Sequence, residues 1–194
     1  MRILAATNNA GKLDEVRRVL EPLSINVVSP DELGLRLKVA ETGTTFAENA
    51  YIKAKAFYEA SGLPSLADDS GLCIDALGGR PGLHSAIYKG IGTPYPQRIS
   101  ALLDEMKDVP PAGRTARFIC ALCFVLDEET TIACQGACEG TIGHAPAGGG
   151  GFGYDPIFFA GAKSFAQMDA QEKDKLSHRG NALRTFISLL EERI

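Results

Sequence analysis

Two runs of apolar and β-branched residues, Ala116 to Leu126 and Thr131 to Glu139, are separated by only Asp127-Glu128-Glu129-Thr130. So short a connection joins antiparallel strands, because a parallel pair needs a crossover of roughly a dozen residues. The spacing therefore predicts a hairpin. The opening of the chain points elsewhere. Arg2 to Ala6 is a short apolar run that passes through Thr7-Asn8-Asn9-Ala10-Gly11-Lys12 into a stretch with Leu13, Val16 and Leu20 at helical spacing. That is strand, polar turn and helix, the unit from which parallel strands are built. Together the two signals predict an α/β fold with a mixed central sheet and flanking helices.

The remaining patterns fill in this frame. Ile25 to Ser29 reads as a second strand, closed by a turn at Pro30-Asp31-Glu32-Leu33-Gly34. A Thr cap at Thr44-Thr45 opens a helix with Phe46, Ala50, Ala54, Phe57 and Tyr58 on one stripe, which stops at Gly62-Leu63-Pro64. Ser65 to Ala67 reads as a strand running into a turn at Asp68-Asp69-Ser70-Gly71, with Leu72-Cys73-Ile74 continuing beyond it. Pro94 to Met106 is helical by its apolar spacing. A final helix carries Leu183, Phe186, Ile187 and Leu190, with Ser177 as its cap. No repeat of solenoid period and no low-complexity linker interrupts the sequence, so residues 1–194 are expected to form a single domain.

Charge and cysteine usage narrow the function. Twenty Lys and Arg against twenty-four Asp and Glu leave a net charge of −4, so the surface as a whole repels a nucleic-acid backbone, though a few cations in one place can still bind a small phosphorylated ligand. No stretch approaches the roughly 20 apolar residues of a membrane span, and the N-terminal apolar run is far shorter than a signal-peptide core. A cytoplasmic protein is expected, with no membrane partner. The five cysteines are odd in number and sit in apolar contexts, which suits free thiols. Cys120 and Cys123 fall on opposite faces of a strand and cannot readily share a zinc ion.

Five segments carry chemistry, each with a plainer alternative. Thr7 to Lys12 presents free backbone N–H groups at a helix start and a lysine, suiting phosphate oxygens, or is simply a capped turn. In Asp68-Asp69 adjacent carboxylates point oppositely on a strand, so one faces a site suited to Mg²⁺, unless both serve an Asp-rich turn. Glu41 would add a further metal carboxylate or is an exposed loop acid. Glu48, Asn49 and Lys53 spread over about 140° of helix, so they cannot converge on one atom. Lys53 alone is placed to reach a phosphate, the alternative being a solvated face. Five glycines surround Phe152 in the stretch from Gly148 to Gly153, a cost in chain entropy that fits a close-approach loop with an aromatic face for a planar base, or a hinge anchored by a buried ring. Lys173, His178 and Arg179 gather donors around a helix start, suiting a keto oxygen or a phosphate; the alternative is ordinary surface cations, which fits Lys173 better than His178 and Arg179, placed where the helix dipole disfavours positive charge.

These segments, from Thr7-Asn8-Asn9-Ala10-Gly11-Lys12 through Glu41-Thr42-Gly43, Ala67-Asp68-Asp69-Ser70-Gly71-Leu72 and Phe152-Gly153-Tyr154-Asp155-Pro156 to Ser177-His178-Arg179-Gly180, closely resemble the inosine triphosphatase family in order and spacing. The resemblance implies two lobes around an active-site cleft, a homodimer, and Mg²⁺-assisted hydrolysis of ITP, dITP or XTP to the monophosphate and pyrophosphate. It further implies that Thr7, Asn8, Asn9, Ala10, Gly11, Lys12 and Lys53 hold the triphosphate, that Glu41 and Asp69 serve the metal, and that Asp69 is the proton acceptor. Ser70, Phe152, Gly153, Tyr154, Asp155, Lys173, His178 and Arg179 would line the nucleotide. One departure stands out: Ser85-Ala86-Ile87-Tyr88 has Ile87 where the family usually carries arginine. A binding module without turnover is disfavoured, because carboxylates near a triphosphate hinder binding unless a metal intervenes.

Overall fold

The structure, a computed structural model, describes residues 1–193. Seven strands form one sheet in the order β2-β1-β3-β4-β5-β6-β7. They are β1 (Arg2–Ala5), β2 (Asn26–Val28), β3 (Ser65–Ile74), β4 (Thr115–Val125), β5 (Thr131–Ile142), β6 (Phe158–Ala160) and β7 (Lys163–Ser164). The helices are α1 (Ala10–Leu20), α2 (Phe46–Ser61), α3 (Tyr95–Glu105), α4 (Ala170–Leu176) and α5 (His178–Glu191). β1 pairs parallel with β2 and β3, whereas β6 pairs antiparallel with β5 and β7, so the sheet is mixed as the sequence predicts. β4 and β5 are neighbours, and the Leu126 N–H donates to the Thr130 carbonyl across the turn that joins them.

The chain divides into two compact units, neither continuous in sequence. The first comprises residues 1–69, 120–136 and the segment from Arg179 onward; the second comprises residues 70–119 and 137–178. Within the first unit the strands alternate strictly. Ile3, Ala5, Leu66, Cys120, Leu122 and Phe124 pack with Val16 and Leu20 of α1 and with Leu183 and Phe186 of α5. Leu4, Ala6, Ala67, Ala121, Cys123 and Val125 pack with Ala50, Ala54 and Phe57 of α2. This period of two decides which way each acid of β3 points. Cys120 and Cys123 lie in different clusters, and all five cysteines are free thiols. The second unit has its own core, built from Leu72, Ile74, Leu102, Met106, Phe158 and Phe165 among others.

One expectation is corrected, and one open alternative is decided. Asp68-Asp69-Ser70-Gly71 is no turn: β3 runs unbroken from Ser65 to Ile74. The residues have turn composition, but their side chains bond to distant partners instead of their own backbone, so the extended conformation prevails. The acidic pair therefore sits mid-strand and not at a strand end. The glycine run is a close-approach loop at its first residue. Gly148 has φ +84°, and a Cβ there would stand 2.5 Å from the backbone of Ala166. The Gly150 N–H donates to the Ala166 carbonyl at 3.0 Å.

Candidate active site

The turn after β1 is organised by its own side chains. Thr7 Oγ1 accepts the Asn9 N–H at 3.1 Å, and Asn9 Oδ1 caps α1 by accepting the Lys12 N–H at 3.1 Å. This fixes Lys12 in the first turn of α1, from which its ammonium reaches Asp68 Oδ2 at 2.8 Å. Arg179, in the first turn of α5, donates to the same oxygen at 2.9 Å and pairs with Glu15 through its other terminal nitrogen. Both acids and the guanidinium are buried. Burial opposes ionisation of Asp68, but Lys12, Arg179 and Lys53 outweigh it and hold its carboxyl far below the usual carboxylate range. Burial likewise works against the Arg179 charge, yet Asp68, Cys120 and Glu15 raise its pKa further.

The opposite face of β3 is built on α2. Thr45 Oγ1 accepts the Glu48 N–H at 3.1 Å while the Glu48 carboxylate accepts from the Thr44 and Thr45 N–H groups, a reciprocal cap that sets the helix start. One residue on, Asn49 is buried and donates from Nδ2 to Asp69 Oδ2 at 3.0 Å. One turn further, Lys53 pairs with Glu41 at 2.5 Å. Burial pushes the Asp69 carboxyl above its ordinary value; the Asn49 bond and the Lys53 charge pull against that, and the Glu41 charge adds to it. Glu41 and Asp69 are thus close enough to feel one another. Two hard oxygen donors with no soft ligand beside them fit an ion such as Mg²⁺, which needs one or two carboxylates and fills its remaining positions with water and phosphate oxygens. Among the described residues no three His, Cys, Asp or Glu side chains group as an all-protein metal cage.

The second unit assembles the aromatic candidates. Asp155 Oδ2 accepts the Phe152 N–H at 2.8 Å and the Lys173 ammonium at 2.5 Å, and that ammonium lies 4.4 Å from the centre of the Phe152 ring. Lys173 is buried and so is no ordinary surface cation. His178 is buried too, its ring parallel to that of Phe118 with centroids 4.6 Å apart. Tyr154 donates its hydroxyl to the Ser85 carbonyl at 2.9 Å.

A profile of the Ham1 family matches residues 3–189. This chain belongs to the Ham1 family. It is 42% identical over 193 residues to the dITP/XTP pyrophosphatase of Shigella flexneri, covering 97% of this chain and 98% of that protein. Among solved structures it resembles the Ham1 protein of Staphylococcus aureus, with a TM-score of 0.87 at 34% identity over 100% of both chains. It also resembles a HAM1 protein of Coxiella burnetii, with a TM-score of 0.88 at 38% identity over 99% of both.

In this Ham1-family chain the predicted residues fall into defined local groups. Lys12 and Arg179 meet at Asp68, Lys53 meets Glu41, and Phe152, Asp155 and Lys173 form one cluster. Thr7, Asn8, Asn9, Ala10 and Gly11 form the loop and first turn leading to Lys12, and Ser70 follows Asp69 on β3. Gly153, at φ +66°, supplies the left-handed step between Phe152 and Tyr154. The set Glu48, Asn49 and Lys53 is not a uniformly solvated face, since Asn49 is buried against Asp69. Ile87 is 47% exposed, so nothing apolar has closed over the position that lacks the family's usual cation. Sequence reasoning missed Glu15. It lies among helix residues with nothing in its spacing to mark it, and its partner Arg179 is 164 positions away.

Proposed function

We propose that this chain hydrolyses non-standard purine nucleoside triphosphates, ITP, dITP and XTP, to the monophosphate and pyrophosphate, acting as a single pyrophosphatase domain over residues 1–194. The observation that carries the reading is the pair Glu41 and Asp69, two carboxylates within electrostatic reach of each other and flanked by Lys53 and Lys12. Acids so close to a polyanionic substrate are costly unless they hold a cation. Glu41 and Asp69 would hold the divalent ion, Mg²⁺, which when bound neutralises charge on the phosphate oxygens.

Each side chain then has a role. The N–H groups from Thr7 to Lys12, with the Lys12 and Lys53 ammonium groups, bind the triphosphate. Asp69 orients a water molecule and accepts its proton as the oxygen attacks the α-phosphorus; its carboxyl, raised by burial, has the greater proton affinity such a base needs. Phe152 offers its face to the base, with Ser70, Gly153, Tyr154, Asp155 and Lys173 around the nucleotide. The 6-keto oxygen accepts from Arg179 or His178, the two donors in the first turn of α5. Adenine presents an amino donor at that position, and donor facing donor rejects it by roughly 10⁴-fold.

The relatives' full-length similarity supports the same substrate class. No helix among the described residues is long and apolar enough to cross a membrane. A cytoplasmic homodimer completes the proposal, and light scattering of the purified protein tests the dimer. The activity is tested by assaying ITP, XTP, dITP, GTP and ATP with and without Mg²⁺ while scoring both phosphate products. Pyrophosphate from the first three, strongly preferred over ATP and dependent on metal, is expected. Orthophosphate as first product, or equal rates on ATP and ITP, would overturn it.

A further inference from the structure

The Asn49 side chain touches both the loop carrying Glu41 and the carboxylate of Asp69. Its Oδ1 accepts the Gly43 N–H at 2.8 Å, and its Nδ2 donates to Asp69 Oδ2 at 3.0 Å. The orientation of the amide is forced. A backbone N–H can only donate, so the oxygen must face Gly43, and the nitrogen is left for the carboxylate. The helix start is fixed by the Thr45–Glu48 cap, so Asn49 hangs from a rigid support. Gly43 is the only residue type that fits beneath it: a Cβ there would lie 2.6 Å from Glu48 Cβ and 2.7 Å from Asn49 Oδ1.

We propose that Asn49 is a positioning residue: a strut that spaces the Glu41 loop from Asp69 and fixes the direction in which the Asp69 carboxylate presents its second oxygen. This rests on the assignment of Asp69 made above. With Oδ2 held by Asn49, rotation about the Cβ–carboxyl bond of Asp69 is restrained. Asn49 touches neither substrate nor product and acts through its neighbour.

The test uses Asn49→Asp, which is nearly isosteric and keeps the Gly43 bond but replaces the donor facing Asp69 by an oxygen, and Gly43→Ala, which displaces the strut without altering it. Both are compared with Asp69→Asn, with folding checked by thermal melting. Two readouts are taken: kcat and KM for dITP, and binding of Mn²⁺ to the nucleotide-free protein by electron paramagnetic resonance. The strut predicts that both variants lose about ten- to a hundredfold in kcat with KM within a few-fold of the parent, and bind Mn²⁺ more weakly. Folded variants with parental kcat and Mn²⁺ affinity, beside an inactive Asp69→Asn, would overturn the strut and leave the Asp69 assignment intact. If Asp69→Asn itself turns over at the parental rate, the assignment falls and the strut with it.

Discussion

Asp68 and Asp69 are adjacent on β3, yet the two faces of the strand treat them in opposite ways. Toward α1 and α5, Asp68 meets two cations, one of them Arg179, which also holds Glu15. Toward α2, Asp69 meets an amide, with the lysine of that helix committed to Glu41. One carboxyl is driven down and the other up. Full charge compensation makes Asp68 a structural ion that links three segments far apart in sequence. Partial compensation leaves Asp69 with the higher proton affinity and an ionised form that folding does not favour, which is what a general base requires. A strand with a side-chain period of two is the simplest way to give neighbouring residues such different surroundings.

The comparison is most exposed at Asp69. Replacing it with Asn is expected to lower kcat by about 10²–10⁴-fold while nucleotide binding, read by calorimetry with a non-hydrolysable analogue, survives. On the other face, Arg179→Met removes the cation that Asp68 and Glu15 share, and taking one partner out of a buried ion pair costs about 3–5 kcal/mol; urea unfolding reads the loss.

The two acids should also differ in sign against pH. The folded-state pKa of Asp68 is depressed, so its contribution is present above its unfolded value and lost only as pH falls toward the folded one. The stability gap between the parent and Asp68→Asn should therefore be full at neutrality and close in acid. The folded-state pKa of Asp69 is raised, so its contribution is full below the unfolded value and lost as pH rises through the folded one. Asp69→Asn should gain in melting temperature relative to the parent from the acid side to neutrality. A gap that moves the same way for both acids would break the comparison. The smallest effect belongs to a surface cluster in the second unit: Arg117 pairs with both Glu139 and Asp75 at 3.1 Å, and Arg117→Gln should move the melting temperature by no more than about 2 °C.

Much of this was legible in the sequence where the signal is local. The hairpin followed from a short connection, the α2 cap from Thr45 and the helix from its apolar stripe, and the mixed sheet followed from combining the hairpin with the opening strand and helix. The five motifs also named the family correctly from residue types and order. What failed was non-local. Asp68-Asp69-Ser70-Gly71 reads as a turn by composition because the partners that keep it extended, Lys12, Arg179 and Asn49, lie 20 to 111 positions away or approach from α1. Glu15 was passed over, and Asn49 was set with Glu48 and Lys53 on a polar helix face, for the same reason. A helix wheel marks apolar spacing but not a polar residue whose partner arrives from another element.

Hydrolysis of dITP in heavy-oxygen water reads which phosphorus is attacked. Attack at the α-phosphorus by water held at Asp69 puts the label into the nucleoside monophosphate and leaves pyrophosphate unlabelled, as mass analysis of both products would show. Label in pyrophosphate, or release of labelled orthophosphate, would place the attack at another phosphorus and contradict it.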